Sequence, residues 1–328
     1  MQVLYLNNCL CSPRSFQEDN KVLLKKVLLF HKRSTYQLQA VEFRDQRFIQ
    51  LLAQENEAVK RVEKAHFEHQ NTLENLVKEL EKRNIQVEIK ARSALDHKID
   101  DIDLLISVGG DGTFLDASHY LEDAPILGVN SATSSSFGHL CLANDNNISS
   151  ILDQIKIDVL KPIELLRLEV ILNGAPLPQY ALNDILVTHQ NPAGTSRYLI
   201  SINGHIEEQL SSGVWIGGPA GSTGALRAAG GSILPVDARK FQYNVRELYL
   251  RPGQQKHLLK DVLDEKTEIK MVSQMRTGAI YIDGQHIEYP FKLGDELIIK
   301  VAKANLHAFV DRKINERFLT ETAHQLIK

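Results

Sequence analysis

The stretch LLISVGGDGTFL, residues 104–115, decides the fold. Its apolar run is nearly continuous, the pattern of a strand covered on both faces in a parallel sheet. TFLDASHYL follows with the look of a helix. The glycines therefore lie at the carboxyl end of a strand and at a helix N-terminus, where open α/β sheets bind ligands. Free N–H groups there favour anionic oxygens such as phosphate. Gly109 and Gly110 are expected to let the chain turn sharply and to bring bare backbone close to a ligand. Asp111 is the odd member, because phosphates repel a carboxylate. Two roles would justify it there. It could accept a proton from a hydroxyl, or hold Mg²⁺ that bridges phosphate oxygens. The plainer alternative is a tight turn with Asp111 as helix cap. The spacing matches neither G-x-G-x-x-G nor the lysine-bearing G-x-x-x-x-G-K-[ST].

Working outward, KVLLFH at 26–31, IQVEIKA at 85–91 and APILGVN at 124–130 read as further strands. Between the first two, apolar residues in 43–83 recur at helical spacing, as two helices or one long one. Strand and helix alternate, which predicts an open, mostly parallel α/β sheet. After about Pro162 the texture turns to β. Asn203-Gly204 and Asp283-Gly284 each stand between candidate strands as hairpin signals. DELIIKVAKANLHAFV is a further strand pair that either returns to the first domain or finishes the second. The expected organisation is an α/β domain at 26–160 and a β-rich domain at 161–299, with the 300–328 segment either completing the first or ending the second.

The bulk composition excludes several classes. A length of 328 residues favours two domains. A net charge of −3 shows no basic surplus for nucleic acid, and no apolar run reaches the ~18 residues of a membrane span. The start lacks a signal-peptide pattern, the end is LIK rather than SKL, and three cysteines build no disulfide framework. A cytoplasmic setting follows as the expectation. Cys9 and Cys11 form a C-x-C without further ligands nearby. His66 and His69 sit three apart and are expected on a solvated helix face rather than on a metal.

Two more segments carry chemistry. GGPAGSTGA, 217–225, offers backbone N–H and hydroxyl donors that suit ribose or phosphate, or else forms a structural turn. In ALNDILV, 181–187, Asn183 and Asp184 interrupt an apolar strand. Paired polar side chains there are costly unless satisfied, and their acceptors suit a ribose diol; a strand-end turn is the alternative.

Taken in order, GGDGT at 109–113, GHL at 138–140, ND at 183–184, GSTG at 221–224, AAGG at 228–231 and DGQ at 283–285 resemble the NAD kinase family. Wider phrases, among them ALNDILVTHQNPAGTSR and GAIYIDGQ, look like its plant-type NADH kinase branch. The resemblance implies an N-terminal α/β domain with a β-rich C-terminal domain. It implies phosphorylation of the adenosine ribose 2′-hydroxyl of NAD or NADH by ATP with Mg²⁺, and a homodimer or homotetramer. It implies Asp111 as catalytic base, and Gly109, Gly110, Gly112 and Thr113 as the ATP phosphate loop. Asn183, Asp184, Ser212, Gly221, Ser222, Thr223 and Ala225 become dinucleotide-binding residues, with Mg²⁺ held through phosphates.

Two departures stand out. Ser211-Ser212-Gly213 replaces a common GDG, and Gly224-Ala225 follows Thr223 where many members have alanine and tyrosine. The SSG form is similar to the NADH-kinase and mitochondrial-type branches. Two other readings follow from these residues. Lipid kinases of the diacylglycerol and sphingosine type also carry a GGDGT-like loop before a β-rich domain. A non-catalytic NAD(H)-binding regulator would explain the missing aspartate and tyrosine.

Overall fold

The computed structural model describes residues 24–92, 97–250 and 252–326; Cys9 and Cys11 lie outside them. The α/β part contains β1 (Lys26–His31), α1 (Gln46–Ala53), α2 (Glu57–Lys82), β2 (Gln86–Ala91), β3 (Leu104–Gly109), α3 (Asp111–Ser118), β4 (Ile126–Asn130), β5 (Ala143–Asn144) and α4 (Ile148–Lys156). Strands then dominate: β6 (Ile163–Leu165), β7 (Leu168–Leu172), β8 (Ala175–Pro176), β9 (Asp184–His189), β10 (Ser196–Ile202), β11 (His205–Ser211) and β12 (Val214–Gly217). After the one-turn α5 (Ala225–Ala228) come β13 (Lys240–Val245), β14 (Lys260–Asp264), β15 (Ile269–Ser273), β16 (Gly278–Ile282), β17 (Ile287–Phe291), β18 (Glu296–Val301), β19 (Leu306–Phe309) and α6 (Ile314–Leu326).

The first sheet has the order β2-β1-β3-β4-β19-β6, with β5 on β4. Its pairs are parallel except β19 with β6. Side chains alternate across it, as the two-residue period of a strand requires. Val27 and Leu29 of β1 point toward Leu76 and Leu80 of α2 and Leu152 of α4. Leu28 and Phe30 point the other way, toward Phe114 of α3 and toward Leu182, Ala220 and Val236 from the β-rich half. One face is thus closed by helices. The other is closed by α3 together with segments of the β-rich half, among them the loops that carry the ND and GSTG motifs.

The remaining strands form two antiparallel sheets, β11-β10-β15-β18-β7-β8 and β14-β13-β12-β9-β16-β17. Val170, Ile200 and Ile299 of one pack with Val187, Ile216 and Ile280 of the other in a shared core. DELIIKVAKANLHAFV divides between two sheets, β18 pairing with β15 and β7 while β19 enters the first sheet. Asn203 and Gly204 take the left-handed backbone of a two-residue hairpin, with φ of 51° and 81°. The turn at Asp283-Gly284 is longer, running from Asp283 to His286 between β16 and β17.

Candidate active site

In the first sheet β1 leads out to β2 on one side, while β3 lies on its other side. The carboxyl ends of β1 and β3 therefore flank a topological switch point, where such sheets leave a crevice. A cavity of about 730 Å³ opens there, lined by Lys32, Arg33, Arg92, Gly110, Asp111, Gly112, Thr113, Ser136 and His286. Close approach constrains the first glycine of the loop, while a serine hydroxyl that can rotate away crowds the second. A Cβ on Gly109 would collide with Thr113 Oγ1, and one on Gly110 would lie 2.5 Å from Ser136 Oγ. The chain bends at Gly110 between β3 and α3, but with φ −122° it does so without a left-handed conformation that only glycine would favour. Gly112 faces open space.

Asp111 is the first residue of α3, and Gly110 is its N-cap. The carboxylate does not cap its own helix. It accepts the backbone N–H of His139 at 2.9 Å and of Leu140 at 2.7 Å, fixing the GHL segment.

Three cations face the glycine loop. Arg33 is paired with Glu42 at 2.7 Å and Arg92 with Asp116 at 2.8 Å. Lys32 has no carboxylate partner among the described residues, and burial lowers the pKa of its ammonium. Its carbonyl oxygen lies 3.1 Å from His69 Nε2, and His69 Nδ1 meets Ser131 Oγ at 2.7 Å. His69 is 1% exposed, and burial pushes its pKa down to about 4. The solvated face expected for the two histidines is thus incorrect. His69 turns inward to tie α2 to the loops after β1 and β4, and His66 stacks on Tyr36 with centroids 4.8 Å apart.

Asn183 and Asp184 stand at the start of β9. The GSTG loop and the end of β12 press directly on them: a Cβ on Gly221 or on Gly217 would strike the Asn183 carbonyl oxygen. Asn183 Oδ1 is buried and has no hydrogen-bond partner. Asp184 is 8% exposed, and burial pushes its carboxyl up to about 6. Within the GSTG loop the Ser222 hydroxyl is fully buried, donates to Pro219 O at 2.7 Å and accepts from Leu234 N at 3.1 Å. Thr223 and Ala225 are half-buried beyond it.

Two ties join this region to the glycine loop. His139, whose N–H is held by Asp111, meets Asn315 Oδ1 through Nε2 at 2.7 Å; Asn315 Nδ2 in turn donates to Pro219 O at 3.0 Å and Leu234 O at 2.7 Å. At the far end of α3, His119 Nε2 lies 3.4 Å from Asp283 Oδ2, and Asp283 accepts from the ND backbone. Ser212 is set apart. It lines a separate hollow of about 600 Å³ with Leu186, Trp215, Arg246 and Tyr281.

Sequence reasoning misses Lys32, Arg33 and Arg92 as site residues. Lys32 and Arg33 directly follow the first strand, so the switch-point rule, applied to β1 as well as β3, points to them. Asp283 is signalled only as a turn and as part of DGQ, and Asn315 not at all, because the partners of both side chains lie far away in the chain.

Residues 27–157 match the family model of the ATP-NAD kinase N-terminal domain. A probable NADH kinase of Oryza sativa subsp. japonica is 37% identical over 253 residues, covering 70% of this chain and 78% of the relative. The NADH kinase of Arabidopsis thaliana is 32% identical over 279 residues, 76% of this chain and 85% of the relative. Two solved structures share the fold, each with a TM-score of 0.64. An NAD kinase from Archaeoglobus fulgidus in complex with ATP is 19% identical and covers 91% of this chain and 98% of its own. A yeast NADH kinase complexed with NADH is 16% identical and covers 94% and 92%. On sequence and fold together, the chain belongs to the NAD kinase family.

Proposed function

We propose that this chain transfers the γ-phosphoryl group of ATP to the adenosine ribose 2′-hydroxyl of NAD or NADH, giving NADP(H) and ADP. The observation that carries this reading is the buried, unpartnered Oδ1 of Asn183, a residue whose backbone packs against Gly221 in a region tied to Asp111. A buried acceptor without a donor is costly, and a ribose hydroxyl supplies that donor. The donor triphosphate fits the cavity over the glycine loop, where Lys32, Arg33 and Arg92 offset its charge. The 2′-oxygen attacks the γ-phosphorus as the bond to the β,γ-bridging oxygen breaks. Asp111 orients the hydroxyl and takes its proton. Catalysis is then mainly positioning and electrostatics.

Mg²⁺ fits here as an ion carried by the phosphates. Asp111 is the one carboxylate lining the cavity, and among the described residues no group of three or more His, Cys, Asp or Glu side chains forms a metal site. When bound, the ion would neutralise phosphate charge.

The lipid-kinase alternative requires an apolar acceptor pocket at the loop, whereas this cavity is cationic. Among the described residues no helix is long and apolar enough to cross a membrane. The proposal also takes in a cytoplasmic setting, supported by the small number of cysteines, and self-association, which sedimentation would measure. The division into 26–160 and 161–299, with the C-terminal segment completing the first unit, belongs to it too. The β19–β4 pairing supports the return of the C-terminal segment, and β6, paired with β19, carries the first sheet to Leu165, just past that boundary. The deciding test is NADP(H) formation by purified protein with ATP and Mg²⁺, with NAD and NADH in separate reactions. Product is expected from at least one. None from either, in folded protein, would overturn the reading.

A further inference from the structure

The turn after β16 does more than connect two strands. Asp283 has a fully buried side chain and sits in the left-handed region with φ 50°. Its backbone N–H donates to Asp184 O at 2.9 Å. Its Oδ1 accepts from Asn183 N at 2.7 Å and Asp184 N at 3.1 Å, and its Oδ2 accepts from Leu182 N at 2.9 Å. Three successive N–H groups converge on one carboxyl group in a backbone nest, and here a side chain 100 residues beyond Asn183 occupies it. Without that carboxylate these N–H groups would be buried donors lacking their partner. His119, at the C-terminus of the helix that Asp111 begins, faces the same carboxylate.

The geometry fixes the peptide planes on both sides of Asn183, and with them the direction of its side chain. We propose that Asp283 is a positioning residue for the acceptor nucleoside: it aims Asn183 Oδ1 and Asp184 at the ribose diol while touching no substrate itself. This rests on the kinase reading above and adds to it the residue through which the ribose pair acts.

The test compares wild type with Asn183→Ala, Asp283→Asn and the double variant. Asp283→Asn keeps the size of the side chain but turns a donor toward one of the three N–H groups. KM for the preferred dinucleotide should rise at least tenfold, while KM for ATP stays within twofold, a split that a general loss of structure would not give. On the Asn183→Ala background the same change should raise KM by clearly less than it does in wild type, because only the misdirection of Asp184 then remains to be felt. Should Asp283→Asn fail to fold, Asp283→Ser reads the same split; if neither melts cooperatively, Asp283 is a folding residue and the proposal is overturned. It is also overturned if Asn183→Ala raises the dinucleotide KM while Asp283→Asn does not, or if the two effects simply multiply. Wild-type protein that makes no NADP(H) would instead defeat the kinase reading itself.

Discussion

Asp111 has two duties that pull on any substitution. It accepts two backbone N–H groups, and in the proposed reaction it also receives the hydroxyl proton. Asp111→Asn is expected to lower kcat by about 10²–10⁴-fold, the usual share of a general base. The asparagine amide would also face one of those N–H donors, so a melting curve must accompany the kinetics. Near-wild-type turnover in the variant would remove Asp111 from the chemistry. Lys32 gives a cleaner contrast, since no ion pair among the described residues competes for it. Lys32→Met is expected to raise KM for ATP roughly 10–100-fold, the range for losing a hydrogen bond to a charged group. The dinucleotide KM should stay within threefold. An equal change in both constants would mean that Lys32 supports the loop rather than the donor phosphates.

At the scale of elements, the glycine loops separate close packing from open approach. Gly221 presses on the Asn183 backbone, whereas Gly112 has open space before it and a helical position behind it. Gly221→Ala should therefore displace the ND turn and lower Tm by several degrees. Gly112→Ala should leave Tm unchanged or slightly higher, since alanine is the better helix former by about 1 kcal/mol. If Gly112 serves close approach of phosphate, that same variant loses kcat/KM for ATP in a fully folded protein. Unchanged kinetics would show that the phosphates pass elsewhere. These elements are also where sequence reasoning reaches furthest. The unbroken apolar run before Gly109, the helical spacing of 43–83 and the Asn203-Gly204 turn are local signals, and each element is where its pattern places it. His69 defeats the same reasoning because its partners, Ser131 and the Lys32 carbonyl, are remote in sequence. The clasp of Asp283 on the ND backbone is invisible for the same reason, and Ser212 gives no sign that it lies in a different hollow from Asp111.

Across the whole molecule, four buried titratable groups act on stability in opposite directions. Burial pushes Asp283 up to about 7 and Asp184 up to about 6, from an ordinary 3.8. Burial also pushes His69 and His119 down to about 4 from 6.5. A carboxyl raised on folding contributes stability that is complete below its unfolded pKa and is lost as pH rises through its folded one. A histidine lowered on folding contributes stability that is present above its unfolded pKa and is lost as pH falls through its folded one. Between about pH 4 and 6 the folded chain holds two carboxyl protons that the unfolded chain lacks, and lacks two imidazolium protons that the unfolded chain holds. The four contributions nearly cancel there. Removing one partner should expose the slope: His69→Gln, measured against wild type, should gain stability as pH falls from 6.5 to 4, by up to roughly 3 kcal/mol. The measurement is the difference in Tm between the two proteins at several pH values, with loss of the Ser131 hydrogen bond setting a constant offset. A difference that stays flat across this range would mean that His69 is protonated in the folded protein, and that the loops after β1 and β4 are held by an imidazolium rather than a neutral ring.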